Sequence, residues 1–151
     1  MPKIDVDTDY ENRVRSSFAR QKAMETIGAQ LTVVTPGTIE IEMPYSAALT
    51  QQHGFIHAGI ISTALDSACG YAAYSLMPPE AAVLTIEFKL NMLAPGKGER
   101  FLFRGNVTKP GRTIIVADGQ AYAFSDDGEA KLIATMTATM MTITGRDGLA
   151  G

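Results

Sequence analysis

The sequence predicts an α+β domain in which one long, buried helix lies against a strongly curved antiparallel sheet. Three observations predict it. The run from Ala58 to Met77 is crowded with small residues and carries a single charge, Asp66. A helix that is apolar nearly all round is a buried helix. After Pro78-Pro79 the chain reads as four consecutive extended runs joined by tight turns, which argues for an antiparallel meander. Finally, the chain is 151 residues long and 46% hydrophobic, with no long linker, low-complexity segment or internal repeat, which suits one core and one domain.

The elements follow in order. Residues 1–28 read as a helical lead-in: Val14, Phe18, Met24 and Ile27 fall near helical spacing, and Gly28 is a stop. A hairpin comes next. Leu31 to Val34 leads through a Pro36-Gly37 turn into Thr38 to Met43, where Ile39, Ile41 and Met43 alternate with Glu40 and Glu42. The buried helix occupies Ala58 to Met77. Four strands then cover Val83 to Leu93, Arg100 to Thr108, Thr113 to Ser125 and Lys131 to Thr144. Pro95-Gly96, Pro110-Gly111 and Asp126-Asp127-Gly128 separate them. Met136 and Met140 alternate with threonines in the last strand and are expected as core filler. The main domain is set at 29–144, and 145–151 as a flexible tail.

Composition narrows the function. The formal net charge is -3 and the pI about 5.3, which makes no electrostatic case for nucleic acid. Met1 to Arg15 alternates charges without an apolar core, so it does not read as a signal peptide, and no apolar stretch approaches a membrane span. A cytoplasmic protein is the expectation. Cys69 is the only cysteine, which rules out an intrachain disulfide and any multi-cysteine metal site. It is expected to be a small hydrophobe rather than a nucleophile. His53 and His57 stand four apart, but Gly54 lies between them and no general-base Glu accompanies them, so no metal is expected. Glu87 and Lys89 read as surface or dimer-edge residues.

The informative stretch is Gln51-Gln52-His53-Gly54-Phe55-Ile56-His57-Ala58-Gly59, which runs straight into the buried helix. Asp66 sits two to three turns along it. Burying a carboxylate raises its pKa and is unfavourable unless partners compensate. The residues alone leave two readings: a satisfied or partly exposed acceptor, or a functional carboxylate. Helix geometry adds a constraint. The peptide N–H groups near Ala58 and Gly59 have no intrahelical acceptors and sit at the positive end of the helix, where they can stabilise an oxyanion. Asp66 lies roughly 12 Å further along the axis at about 1.5 Å per residue. One reacting carbonyl cannot reach both. An oppositely directed second copy of the helix would bring one helix start beside the other Asp66, which predicts a homodimer with composite sites.

The run Gln51-x-x-Gly54-x-x-His57-Ala58-Gly59, followed by Asp66, resembles the PaaI-type branch of the hotdog-fold acyl-CoA thioesterases. That pattern is Asn/Gln-x-x-Gly-x-x-His-Gly-Gly, with an Asp or Glu nine residues after the His. The strand Leu84 to Pro95 is similar to the family's next segment, with Thr85 at its Ser/Thr position. Lys109-Pro110-Gly111-Arg112 and the hairpin at Gly128 to Ala134 continue the likeness, which spans roughly residues 28–143. Either motif alone is weak; together they are fairly specific.

The resemblance implies a hotdog fold, a long central helix wrapped by a curved antiparallel sheet, here with an N-terminal lead-in helix. It also implies hydrolysis of an acyl-CoA thioester. In that reading Gln51 helps hold the thioester carbonyl or the attacking water. The N–H of Ala58, aided by Gly59, forms the oxyanion hole. Asp66 of the other subunit is general base or nucleophile, and Thr85 positions the water or Asp66. His57 shapes the turn and orients Gln51 or the thioester. Ala58 departs from the family's first Gly: its N–H survives, but a methyl group meets a close approach. Lys109 and Arg112 are candidate contacts for CoA phosphates, and an ordinary solvated basic turn is the competing reading. Phe55, Ile60, Met77, Phe88 and Met92 are candidates for the pocket wall. No cofactor is expected, CoA being part of the substrate, and a tetramer stays open beside the dimer. Two other readings remain: a non-catalytic acyl-CoA-binding module, and a hotdog hydratase or dehydratase. The latter needs an Asp–His pair on one substrate face, whereas His57 and Asp66 stand about 180° apart around a helix.

Overall fold

The computed structural model describes residues 4–151; the first three residues of the lead-in, and of the stretch Met1 to Arg15, lie outside it. The lead-in is two helices, α1 (Tyr10–Arg20) and α2 (Lys22–Ile27). Gln21 between them takes extended backbone, φ -80° and ψ 97°, and breaks the helical path. The apolar residues at helical spacing anchor both: Val14, Met24 and Ile27 are buried, and Phe18 packs against the core. Gly28 closes α2 at φ 72°, a left-handed cap that a side chain would strain.

The long helix, α3, spans Ala58–Tyr74 and buries eleven of its residues. It stops three residues short of the expected Met77. Ser75 ends it by donating from Oγ to the Ala72 carbonyl at 2.7 Å and accepting the Gly37 N–H at 2.8 Å. The hydroxyl thus ties the helix end to the first hairpin.

Six strands form one antiparallel sheet: β1 (Gln30–Thr35), β2 (Thr38–Pro44), β3 (Ala82–Met92), β4 (Arg100–Lys109), β5 (Ile114–Phe124) and β6 (Ala130–Ile143). Their order is β1-β2-β4-β5-β6-β3. The expected four-strand meander therefore holds only for β4, β5 and β6. β3 lies at the far edge beside β6, and β4 returns to pair with β2. The reason is α3. It carries the chain from β2 across the sheet, so β3 enters at the opposite edge. The Pro95-Gly96 segment is then part of a crossing connection rather than a hairpin, and Ile56 bridges to Gly96 there.

Two glycines let the sheet wrap the helix closely. Gly105 of β4 and Gly119 of β5 face each other in register. A Cβ on Gly105 would stand 2.3 Å from the Ala68 carbonyl oxygen, and one on Gly119 would stand 3.1 Å from the Cys69 sulfur. Helix backbone and side chains occupy the volume those side chains would need. Met136 and Met140 of β6 are buried in the same core, as their alternation suggested.

The outer edge of β3 is bare. Leu84, Ile86 and Phe88 are 46%, 53% and 44% exposed, and Glu87 and Lys89 are exposed beside them. A long exposed apolar edge strand is a template for pairing with another chain. Among the described residues, no helix is long and apolar enough to cross a membrane.

Candidate active site

Asp66 lies on the side of α3 that faces β3. Its Oδ1 accepts a hydrogen bond from the Thr85 hydroxyl at 2.8 Å. A β-bulge at Ile86 shifts the β3–β6 register just beyond Thr85, the kind of irregularity that re-aims a side chain next to a functional site. Asp66 is half-buried. Desolvation raises its pKa above the ordinary carboxylate value, and the Thr85 bond offsets part of that rise. The two residues line one cavity of about 370 Å³. The lead-in supplies a wall of that cavity through Ser17, Arg20 and Gln21, and Leu149 to Gly151 close another side.

The lead-in is held there by direct contacts. Ser67 donates to Gln21 Oε1 at 2.8 Å, and the Ser17 and Tyr71 hydroxyls share a hydrogen bond at 3.2 Å. Arg13 donates to Asp7 at 2.7 Å and to the Met77 carbonyl at 3.1 Å, with its guanidinium over the Tyr74 ring. Spacing showed that the lead-in was helical. That it forms part of the wall around Asp66 had no signal in the sequence, because residues 17–21 and 66–71 meet only through the tertiary fold.

The other candidate residues gather at the start of α3. The Gln51 side-chain carbonyl accepts the His53 N–H at 2.6 Å and the Phe55 N–H at 3.3 Å. Its amide nitrogen is left to donate outward. Gly54, at φ 84°, lets this turn close. His57 is the N-cap of α3, with Nδ1 accepting the Gly59 N–H at 2.8 Å. That bond leaves Nδ1 unprotonated and the ring proton on Nε2. A Cβ on Gly59 would crowd the ring at 3.0 Å, which explains the glycine.

The cap sorts the peptide N–H groups at the start of α3. Gly59 gives its N–H to His57, and Ile60 gives its own to the His57 carbonyl at 2.9 Å. The Ala58 N–H finds no acceptor among the described residues. It is the free donor at the positive end of the helix, and the Ala58 side chain is exposed rather than wedged. Gln51 and Ala58 line a second cavity, of about 470 Å³, with Phe55, Met92 and Leu93 to Gly96.

Within one chain the candidates therefore form two groups: Asp66 with Thr85 on one cavity, and Gln51 with Ala58 on another, with His57 and Gly59 beside them in the helix cap. Lys109 and Arg112 join neither. Lys109 is exposed at the end of β4, and Arg112 lines a third cavity with Leu76 to Pro79. Of the expected wall residues, Phe55 and Met92 line the Gln51 cavity, Met77 the Arg112 cavity, and Phe88 is exposed on β3. Ile60 is partly buried against the core. Cys69 is fully buried beneath Gly119, and burial, with Asp66 and Asp118 nearby, pushes its thiol up to about 12. A thiol so held is not a nucleophile at neutral pH. No cluster of three metal-ligating side chains occurs among the described residues.

Comparison with known proteins gives a consistent family. Residues 53–130 match the thioesterase superfamily. A Halobacterium salinarum protein named "putative esterase" is 30% identical over 136 residues, covering 87% of this chain and 89% of that protein. A crystal structure of a thioesterase family protein from Silicibacter pomeroyi is 63% identical with a TM-score of 0.89, covering 90% of this chain and 99% of that one. The E. coli PaaI protein from the phenylacetic acid degradation operon superposes with a TM-score of 0.81 at 17% identity, covering 93% of this chain and 98% of its own. That last likeness is one of fold. The fold is the hotdog fold, with its six-stranded sheet left open rather than closed.

Proposed function

The chain belongs to the thioesterase superfamily, and from that membership we propose that it hydrolyses acyl-CoA thioesters to the free acid and CoA. The observation that carries the reading is the half-buried Asp66 carboxylate, oriented by Thr85 at 2.8 Å inside a cavity. The thiolate is a good leaving group, so the reaction needs an activated water and a carbonyl clamp rather than a strong acid. Gln51 and the Ala58 N–H are the clamp. Asp66 either takes a proton from the attacking water or attacks the carbonyl itself to give a mixed anhydride. Label in the Asp66 carboxylate after a single turnover in heavy-oxygen water marks the second route, because water that opens the anhydride at the Asp66 carbonyl leaves its oxygen there. No cofactor takes part in either route, and CoA enters as part of the substrate.

The clamp and the carboxylate line different cavities in one chain, so the reading requires a homodimer in which each site draws on both copies. The bare apolar edge of β3 supports this, because a second copy laid along it would cover Leu84, Ile86 and Phe88 next to Thr85. Lys109 and Arg112 then stay candidates for CoA phosphates only if the assembly brings their turn to the mouth of a composite site.

The test is steady-state thiol release across aliphatic and aryl acyl-CoAs with wild type and Asp66→Asn. The expected loss is at least about a hundredfold in kcat, the scale of acid–base groups. Near-wild-type turnover in the mutant would overturn the assignment. Mixing Asp66→Asn with Gln51→Ala should restore activity in heterodimers. No recovery despite subunit exchange would mean that each site is built within one chain.

A further inference from the structure

The cavity that holds Asp66 continues along α3 over Gly70. Gly70 lies four residues beyond Asp66 and so faces the same side of the helix. It is buried, yet a Cβ placed on it would meet nothing within 4 Å. This sets it apart from Gly105 and Gly119, whose missing side chains make room for α3. Protein interiors are close-packed, so buried open space beside a carboxylate has the form of a slot. Tyr71, Ser17, Arg20 and Gln21 line the same cavity.

These four residues make that part of the cavity rich in donors. Gln21 accepts from Ser67 through Oε1, which leaves its NH₂ group free to donate. Ser17 and Tyr71 spend one hydroxyl hydrogen on each other and keep one. Arg20 donates to the Ser16 hydroxyl and to a Gly151 oxygen at the edge of the same cavity. Among the described residues, Asp66 is the one carboxylate side chain lining the cavity.

We propose that Gly70 is a specificity-determining residue: the acyl group lies over it, and the donor-rich wall selects short acyl groups that carry an acceptor oxygen away from the thioester. The inference rests on the thioesterase reading, because it takes Asp66 as the near end of the slot.

The test compares wild type, Gly70→Val and Gln21→Leu on acetyl-, butyryl-, succinyl- and dodecanoyl-CoA. Wild type should favour succinyl over butyryl and discriminate against dodecanoyl. In Gly70→Val the ratio of butyryl to acetyl kcat/KM should fall at least about tenfold, since one methylene in a tight pocket is worth about 10–200-fold. In Gln21→Leu the preference for succinyl over butyryl should shrink. Val is the better helix former, so the melting temperature of Gly70→Val should hold or rise. Active variants with unmoved ratios would overturn the slot. So would dissociation of the Gly70→Val assembly in light scattering, which would give the open space to a second copy of the helix. If wild type hydrolyses none of these esters and no aryl acyl-CoA either, the thioesterase reading falls. The slot is then decided by calorimetry with butyrate and succinate: binding lost in Gly70→Val supports it, and unchanged binding overturns it.

Discussion

Thr85 donates its hydroxyl to Asp66 Oδ1 at 2.8 Å across nineteen residues of sequence. Helix α3 supplies the acceptor and the sheet edge supplies the donor. Burial drives the Asp66 pKa up, and this bond favours the ionised form. Thr85 thus works against burial in keeping the carboxylate charged.

Thr85→Val removes the donor with little change in shape. The Asp66 pKa should rise further, so the acid limb of the kcat/KM profile should move to higher pH while activity at alkaline pH is largely kept. A pH–rate profile checks this. An unmoved limb, or one displaced to lower pH, would remove Thr85 from the role.

Stability should respond to the same carboxylate. Because its native pKa is raised, the native state binds more protons than the unfolded chain between the two pKa values. Stability is therefore lost as pH rises from the unfolded value through the native one. Asp66→Asn abolishes that loss. Its melting temperature should exceed that of wild type near neutrality, with the gap closing below the ordinary carboxylate range. A gap that widened towards acid would contradict the raised pKa.

Gly105→Ala should destabilise the fold by about 1–3 kcal/mol, the usual scale of overpacking. The new methyl would meet the Ala68 carbonyl at 2.3 Å, and helix backbone gives way less easily than a side chain. Urea denaturation measures the difference. A neutral result would mean that α3 sits further from β4.

Placing charge on the bare strand tests the assembly. Ile86→Lys leaves the monomer core untouched, since Ile86 is 53% exposed, but it should oppose pairing along β3. Sedimentation should show a shift towards monomer, and thioester turnover should fall with it. A monomeric variant with full activity would refute the composite site.

Much of this was legible in the residues. Val14, Met24 and Ile27 revealed the lead-in through helical spacing, and one charge in an apolar run marked Asp66, because burying a carboxylate has a cost that local sequence makes visible. Other features left no local mark. His57 as N-cap was hidden because its role depends on where its ring turns. The place of β3 was hidden because turn residues report that the chain reverses, not which strand it then meets.

The sequence by itself determined the elements and the buried helix with its single charge, since periodicity and spacing act over a few residues, and its resemblance to a known family made Gln51, His57, Ala58, Gly59 and Asp66 candidates. Only the tertiary structure decided which donor is free, which residues share a cavity and what walls them in. Those are matters of distance between segments far apart in the chain, settled when α3 crosses the sheet and Gly105 and Gly119 let it settle there.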